Sequence, residues 1–274
     1  MKTTCFLTRW MNASAVVALF VTLIQSPLAK VLDDFNDNKV TGWEKFDFGS
    51  GNGFLKEEDG QLTIGMHQAT KQPFFVAATY GSQTFTIEDG VTLEFQIDLI
   101  GANQAEAYAA VGFIPTGTSV SQLSGYSAVK DSGDVILAKG LNKFFYDITD
   151  GEWTETPENI TLSISMTGEG ESVVMRVKVL DIENNNAVLF DQTSIDTPDA
   201  DDFQTGTDTP VAPFLGKPGN FVILLYHNDT NGSLPASTVT LDNAKVFEWL
   251  DYEMGTALTL IPTALHTAFR WRNM

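Results

Sequence analysis

Cysteine, histidine and positive charge are all scarce in this chain of 274 residues. Cys5 is the only cysteine, so no disulfide bond can form within one chain. The three histidines are His67, His227 and His266, and their separation in sequence matches no metal-binding motif. The chain also lacks a P-loop, a Rossmann glycine pattern and a Ser-His-Asp nucleophile elbow. The usual signatures of nucleotide-binding, zinc and serine-hydrolase chemistry are therefore absent.

Positive charge is low because 16 Lys and Arg residues face 35 Asp and Glu residues, for a formal net charge of -19. A chain this acidic should repel nucleic acid and anionic lipid. Its charge suits solubility, calcium binding or a neutral ligand such as a sugar. We therefore expect no nucleic-acid partner.

Long apolar runs are missing except at the N-terminus, where residues 13–24 read ASAVVALFVTLI. Lys2 and Arg9 precede this run, and the small residues of Ser26-Pro27-Leu28-Ala29 follow it. The pattern predicts a signal peptide over residues 1–29, cut after Ala29, and hence a secreted protein, extracellular or periplasmic, without a stable membrane span. An uncleaved N-terminal anchor is the alternative.

Alternation with a period of two dominates the rest of the chain, and it is clearest in residues 91–100, VTLEFQIDLI. Val91, Leu93, Phe95, Ile97 and Leu99 share one face of this predicted strand. Short runs of the same kind, separated by Gly, Asn, Asp and Pro, continue to residue 249 without helical periodicity. The sequence thus predicts one all-β domain over residues 30–249, built as an antiparallel β-sandwich.

Three further segments carry specific predictions. Residues 160–166 and 172–180 flank the turn Thr167-Gly168-Glu169-Gly170 and predict a hairpin. Residues 221–226, FVILLY, are apolar throughout, which predicts a strand buried on both faces. Residues 250–274 contain Pro262 and predict a C-terminal tail that is a poorly ordered extension, with a docking helix or a peripheral membrane segment as alternatives.

The two ends of the predicted domain resemble a known family. The opening LDDFNDN-x-x-TGW and the closing TVTLDNAKVFEW are similar to the first and last strands of concanavalin A-like lectin/glucanase domains. The resemblance implies a jelly-roll sandwich in which both chain ends lie side by side in one sheet. It also implies a carbohydrate ligand, bound with or without catalysis.

The polar face of residues 91–100 is similar to the catalytic strand of laminarinase-type glycoside hydrolases, which reads Glu-x-Asp-x-Glu. Glu94 and Asp98 occupy the outer positions, and Gln96 replaces the middle acid. Positions four apart on a strand are separated by about 13 Å, whereas a retaining pair needs carboxyl groups about 5–5.5 Å apart. An ordinary solvent-facing strand is the competing interpretation. In that case Gln96 remains a candidate glycan-binding residue.

A structural calcium ion is a second prediction. Asp33, Asp34 and Asp242 come together if the first and last strands are neighbours, and sugar-binding modules that this chain resembles often hold calcium there. The alternative is that these aspartates form turns by accepting hydrogen bonds from backbone amides.

Aromatic residues near predicted turns could stack on sugar rings, and we select Trp153, Tyr126, Tyr146 and Tyr226 for this role. Trp153 is preferred because its neighbours are polar, whereas Trp43 and Trp249 look like core residues. The favoured interpretation is a secreted, non-catalytic carbohydrate-binding or surface module. A glycoside hydrolase using Glu94 and Asp98 and a purely structural extracellular protein are the alternatives.

Overall fold

The computed structural model describes residues 28–48, 53–66, 74–102, 108–118, 124–130, 134–139, 150–152, 157–198, 212–227 and 238–250. These residues form strands, turns and bends, with no helix among them. Over the same ranges, nothing helical has the length and apolar character needed to cross a membrane.

The strands, in chain order, are β1 (Leu28–Asp33), β2 (Trp43–Phe48), β3 (Gly53–Glu58), β4 (Gln61–Met66), β5 (Phe74–Tyr80), β6 (Phe85–Thr86), β7 (Val91–Ile100), β8 (Tyr108–Pro115), β9 (Tyr126–Lys130), β10 (Asp134–Lys139), β11 (Asp150–Glu152), β12 (Asn159–Glu169), β13 (Ser172–Asp181), β14 (Ala187–Asp196), β15 (Pro218–His227) and β16 (Thr238–Leu250).

Two antiparallel sheets pack into a jelly-roll sandwich, as the alternating pattern predicts. Sheet A has the order β14-β13-β12-β7-β16-β4-β3, with β1 also paired to β16. Sheet B has the order β11-β10-β9-β8-β15-β5-β2, with β6 also paired to β15. Strand β7 has the predicted bounds and lies in the middle of sheet A.

The core lies between the sheets and is centred on Phe95 of β7. The Phe95 ring centroid is 4.9 Å from that of Phe221 on β15, 5.2 Å from Phe85 and 6.5 Å from Phe113. All four phenylalanines are buried. The prediction that residues 221–226 form a strand buried on both faces is confirmed for Phe221 through Leu225.

The β12–β13 hairpin is confirmed, but its turn lies further along the chain than the sequence predicts. Thr167, Gly168 and Glu169 belong to β12, and Glu169 pairs with Ser172. Gly168 and Gly170 had both suggested the turn, and only Gly170 has a positive φ, of 64°. The left-handed conformation therefore marks the turn better than glycine content does.

The two ends of the described domain lie side by side, as predicted. Strand β1 pairs with β16, from Leu28 opposite Glu248 to Asp33 opposite Ala244. Strand β1 begins two residues before the predicted cut after Ala29. Residues 1–27 and 251–274 are outside the described residues, so the signal peptide and most of the tail remain predictions.

A β-bulge in β16 decides which side chains face outward. In the pairing with β7, Asp242 lies opposite Asp98 and Lys245 opposite Gln96, so β16 has one extra residue between these pairs. Asn243 in the bulge has a φ of 53°. The extra residue reverses the alternation: Leu241 before the bulge and Ala244 and Val246 after it all face the core.

Candidate functional site

The polar side chains of β7 lie on the outer face of sheet A, which points away from the core. In one row across the sheet, Glu94 lies opposite Ser165 of β12 and Phe247 of β16. In the next row, Gln96 lies opposite Ser163 and Lys245. These side chains share a face because residues paired directly across strands point the same way. They form part of a broad polar sheet surface.

Glu94 is half-buried on this face, and the charges of two cations on β13 act on it. Burial raises the pKa of the Glu94 carboxyl, while a hydrogen bond with Ser163 and the charges of Lys178 and Arg176 oppose this shift. Arg176 also forms a bidentate ion pair with Asp191 of β14, with both N–O distances at 2.5 Å. That ion pair raises the pKa of Arg176 and lowers the pKa of Asp191. The ion pair holds the Arg176 guanidinium toward β14, while its charge still acts on Glu94, which is two strands away.

Phe247 and Trp249 add an aromatic element to the same face. Their ring centroids are 6.5 Å apart with an interplanar angle of 76°. Both side chains are half-buried, and Trp249 lies opposite Thr92 in the row next to Glu94. The interpretation of Trp249 as a core residue is wrong, whereas Trp43 is buried as expected. We define the aromatic shelf as Phe247 and Trp249 together with Glu94, Gln96 and Arg176.

Asp98 is held separately from Glu94. Its Oδ1 accepts a hydrogen bond from the Thr161 hydroxyl at 2.6 Å, and its Oδ2 accepts one from Asn243 Nδ2 at 3.0 Å. Both carboxylate oxygens therefore already have protein donors, with Asn243 supplied by the β16 bulge. A retaining acid pair would require Asp98 to lean toward Glu94, and these two hydrogen bonds favour its present orientation.

The three aspartates selected for calcium lie near one another, at the end of β1, just after it and in β16, but their carboxylates accept hydrogen bonds from N–H groups of the protein. Asp33 Oδ1 accepts the Phe35 amide at 2.9 Å, and Asp33 Oδ2 accepts Trp43 Nε1 at 2.8 Å. The carboxylates of Asp34 and Asp242 accept backbone amides at 3.4 and 2.7 Å.

Burial raises the pKa of Asp242, with further upward contributions from the charges of Asp98 and Asp34 and opposition from the Asn243 amide and Lys245. In the described part of the chain, no group of three or more His, Cys, Asp or Glu residues is arranged to hold a metal ion. Calcium requires about six to eight oxygen ligands. The described side chains do not fit that requirement, and the turn-forming alternative accounts for Asp33.

The aromatic residues selected for sugar stacking have different environments. Tyr126 is 0% exposed and lies inside the sandwich, so its ring has no face available to a sugar and this prediction is wrong. Tyr226 is half-buried on the outer face of sheet B, next to Val222 and Leu224. Trp153 and Tyr146 lie outside the described residues. Gln96 and Tyr226 are on opposite outer faces, so one small ligand could not contact both.

The strand order and pairing define the concanavalin A-like fold, in agreement with the resemblance of the two chain ends. The structure is similar to the lectin UEA-II complexed with galactose, with a TM-score of 0.51 and 9% identity over 81% of this chain and 99% of that chain. It is also similar to arcelin-5, a lectin-like defence protein from Phaseolus vulgaris, with a TM-score of 0.50 and 8% identity over 82% and 98% of the two chains.

An endo-1,3-beta-glucanase from Streptomyces sioyaensis gives a TM-score of 0.49 and 12% identity over 82% of this chain and 96% of that chain. No family model matches the chain, and no curated protein matches it. At such low identity the likenesses to UEA-II and arcelin-5 establish a shared fold and leave the function to be argued from the side chains.

Proposed function

We propose that the protein is a secreted, non-catalytic carbohydrate-binding module that binds glycans on the aromatic shelf. The observation that carries the proposal is the row across the centre of sheet A in which Arg176, Ser165, Glu94 and Phe247 lie side by side on neighbouring strands. A half-buried aromatic pair beside carboxylate and amide groups is the chemistry that binds a sugar. The ring packs on the apolar face of a pyranose, and the polar groups bond its hydroxyls.

The fold and the charge support the same proposal. UEA-II, which has the same fold, is complexed with galactose in its structure. The net charge of -19 disfavours acidic polysaccharides, so the expected ligands are neutral glycans. The predicted signal peptide over residues 1–29 would bring the module into contact with such glycans outside the cytoplasm.

The test is binding of the full chain to an array of neutral glycans, with three variants compared. Trp249→Ala and Phe247→Ala should each weaken binding by roughly tenfold or more, as expected for buried aromatic anchors in an interface. Tyr226→Ala is the matched control, because Tyr226 is also a half-buried aromatic residue but lies on the other sheet. It should leave binding unchanged. Loss of binding in the control alone would move the site to sheet B, and absence of any glycan binding would refute the proposal.

Hydrolysis by Glu94 and Asp98 is a second candidate, favoured by the burial that raises the pKa of Glu94 toward that of a general acid. It is tested by assaying release of reducing ends from the glycans that bind. The binding-only proposal predicts no release. Release by the natural chain that disappears in Glu94→Gln would establish an enzyme instead.

A further inference from the structure

A lysine and an aspartate meet inside the sandwich, away from the aromatic shelf. Lys139 is the last residue of β10 in sheet B, and Asp196 is the last residue of β14, the edge strand of sheet A. Their side chains are 2% and 0% exposed. The Lys139 Nζ lies 2.7 Å from Asp196 Oδ1 and 2.6 Å from Asp196 Oδ2.

This geometry places the nitrogen against the carboxyl carbon. Because Nζ is almost equally distant from the two oxygens that flank Cγ, it can be no more than about 3 Å from Cγ itself. That separation matches the near-attack distance at which groups held by a protein react. Nζ is therefore within reach of Cγ, and attack would bring it over the face of the carboxyl group.

Tyr126 completes the cluster by donating a hydrogen bond to Asp196. The Tyr126 hydroxyl oxygen accepts the backbone N–H of Phe214 at 3.1 Å, which leaves its hydrogen to bond Asp196 Oδ2. The Phe214 ring covers the cluster, with its centroid 4.9 Å from the Tyr126 ring and 5.7 Å from Lys139 Nζ. Lys217 lies against the same ring, 5.5 Å from its centroid.

Burial favours the uncharged forms of both partners. It lowers the pKa of Lys139, with a smaller contribution from Lys217, and it raises the pKa of Asp196, although the attraction between the two charges opposes both shifts. Removing two charges from water is costly, and their attraction often does not recover this cost. A neutral amine facing a neutral carboxylic acid is the reactive state of such a pair.

We propose that Lys139 and Asp196 condense to form an isopeptide bond that links the two sheets covalently. Nζ attacks Cγ, a C–N bond forms, and the bond from Cγ to its hydroxyl breaks. The hydroxyl leaves as water and takes one hydrogen from the amine. The hydrogen bond from Tyr126 stabilises the negative charge that develops on the other carboxyl oxygen. The reaction is a condensation, so it requires no oxidant, reductant or cofactor.

The bond would link the two sheets covalently in a chain that has no internal disulfide bond to do so. Cys5 is the only cysteine, so a disulfide within the chain is impossible. Lys139 and Asp196 are 57 positions apart, and a bond between them would close that segment into a ring. Closing a long loop reduces the conformational freedom of the unfolded chain, as a disulfide does.

Mass spectrometry of the full-length protein, unfolded in denaturant, tests the proposal directly. We expect most molecules to be lighter than the amino-acid sequence requires by the mass of one water molecule. After digestion with trypsin, one product should contain the peptides of Lys139 and Asp196 joined together, uncleaved after Lys139. A mass that matches the uncondensed chain, or a loss of water that maps to another site, would overturn the proposal.

Three variants test the roles of the individual groups. Lys139→Arg cannot form the bond and should have the full mass of its sequence. Asp196→Asn should form the same amide by releasing ammonia and reach the same final mass as the condensed natural chain. Tyr126→Phe should be condensed in a smaller fraction of molecules, and condensation equal to that of the natural chain would exclude a catalytic role for Tyr126. The mass of the natural chain decides the main question even if a variant fails to fold.

Discussion

Asp33 provides a test of whether the first turn of the domain is held by hydrogen bonds or by calcium. Its carboxylate accepts hydrogen bonds from the Phe35 amide at 2.9 Å and from Trp43 Nε1 at 2.8 Å, and Trp43 is only 7% exposed. Asp33→Ala removes both acceptors and leaves the indole N–H buried without its partner. An unsatisfied buried donor costs about 1–3 kcal/mol, and a hydrogen bond to a charged group contributes about 1.5–3 kcal/mol. We therefore expect the free energy of unfolding to fall by about 2–4 kcal/mol.

Asp33→Asn is the matched variant because an amide retains one acceptor oxygen and replaces the other with a donor. It should cost roughly half as much as Asp33→Ala. The assay is urea unfolding, with excess calcium and with EDTA. The hydrogen-bond explanation predicts the same loss in both conditions. It is wrong if EDTA destabilises the natural chain and has no effect on Asp33→Ala, because Asp33 would then be a calcium ligand.

Three further predictions concern the core, the polar face and a close approach of strands. Phe95→Ala removes a buried ring and should lower the free energy of unfolding by about 3–5 kcal/mol. Phe46 is 37% exposed, so Phe46→Ala should lower it by well under half of that amount. Glu94→Gln should increase stability at neutral pH and have a diminishing effect at acidic pH. Because the pKa of Glu94 is raised in the folded chain, protonation of Glu94 favours folding. This contribution to stability is fully present below the pKa that Glu94 has in the unfolded chain, and it is lost as the pH rises through the pKa that Glu94 has in the folded chain. Gly112→Ala should destabilise the β8–β9 pairing by about 1–3 kcal/mol or more, because a Cβ would lie 2.2 Å from a backbone carbonyl oxygen of β9. Gly81→Ala is the control, and it should be far less destabilising because its Cβ would meet only a flexible side chain.

Denaturant unfolding measures the first and third of these effects, and unfolding at a series of pH values measures the second. Equal losses for the two phenylalanine variants would contradict the assignment of Phe95 to the centre of the core. A stability difference between Glu94→Gln and the natural chain that does not change with pH would show that Glu94 titrates normally in the folded protein. Equal effects of the two glycine substitutions would contradict the tight pairing of β8 with β9.

The sequence predicted the fold because alternation in a strand is a direct consequence of backbone geometry. Residues 91–99 alternate without interruption, and β7 has the predicted bounds. The glycines near residue 170 located a hairpin but not its turn, because Gly168 continues β12 and only Gly170 takes a left-handed conformation. Sequence patterns therefore located strands more reliably than the residues that end them.

The candidate site could be predicted only in part, and the β16 bulge is the main reason. Simple alternation from Leu241, which faces the core, would place residues 247 and 249 in the core as well. The extra residue at the bulge reverses this order, so Phe247 and Trp249 lie on the outer face. A bulge is a local irregularity of pairing between two strands, and neither strand's sequence alone specifies it. The positive φ of Asn243 is consistent with the known tolerance of Asn for that conformation, which is the one signal present in the sequence.

Tyr126 failed as a predicted sugar-stacking residue for a related reason. It follows Gly125 near a turn, but β9 is buried on both faces, so neither alternation nor proximity to a turn indicates exposure. Its environment depends on Asp196 and Phe214, which are 70 and 88 positions away. Contacts of that range are set by the tertiary fold.

Hydroxyl-radical footprinting of the full chain would show which face of the sandwich contacts the glycan. The protein would be labelled with and without the glycan that binds best in the array, and the oxidation of each aromatic residue would be compared by mass spectrometry. If the aromatic shelf is the binding site, the glycan should protect Phe247 and Trp249 and leave Tyr226 on the other sheet unchanged. Protection of Tyr226 without protection of the aromatic shelf, or no protection at either face, would contradict this prediction.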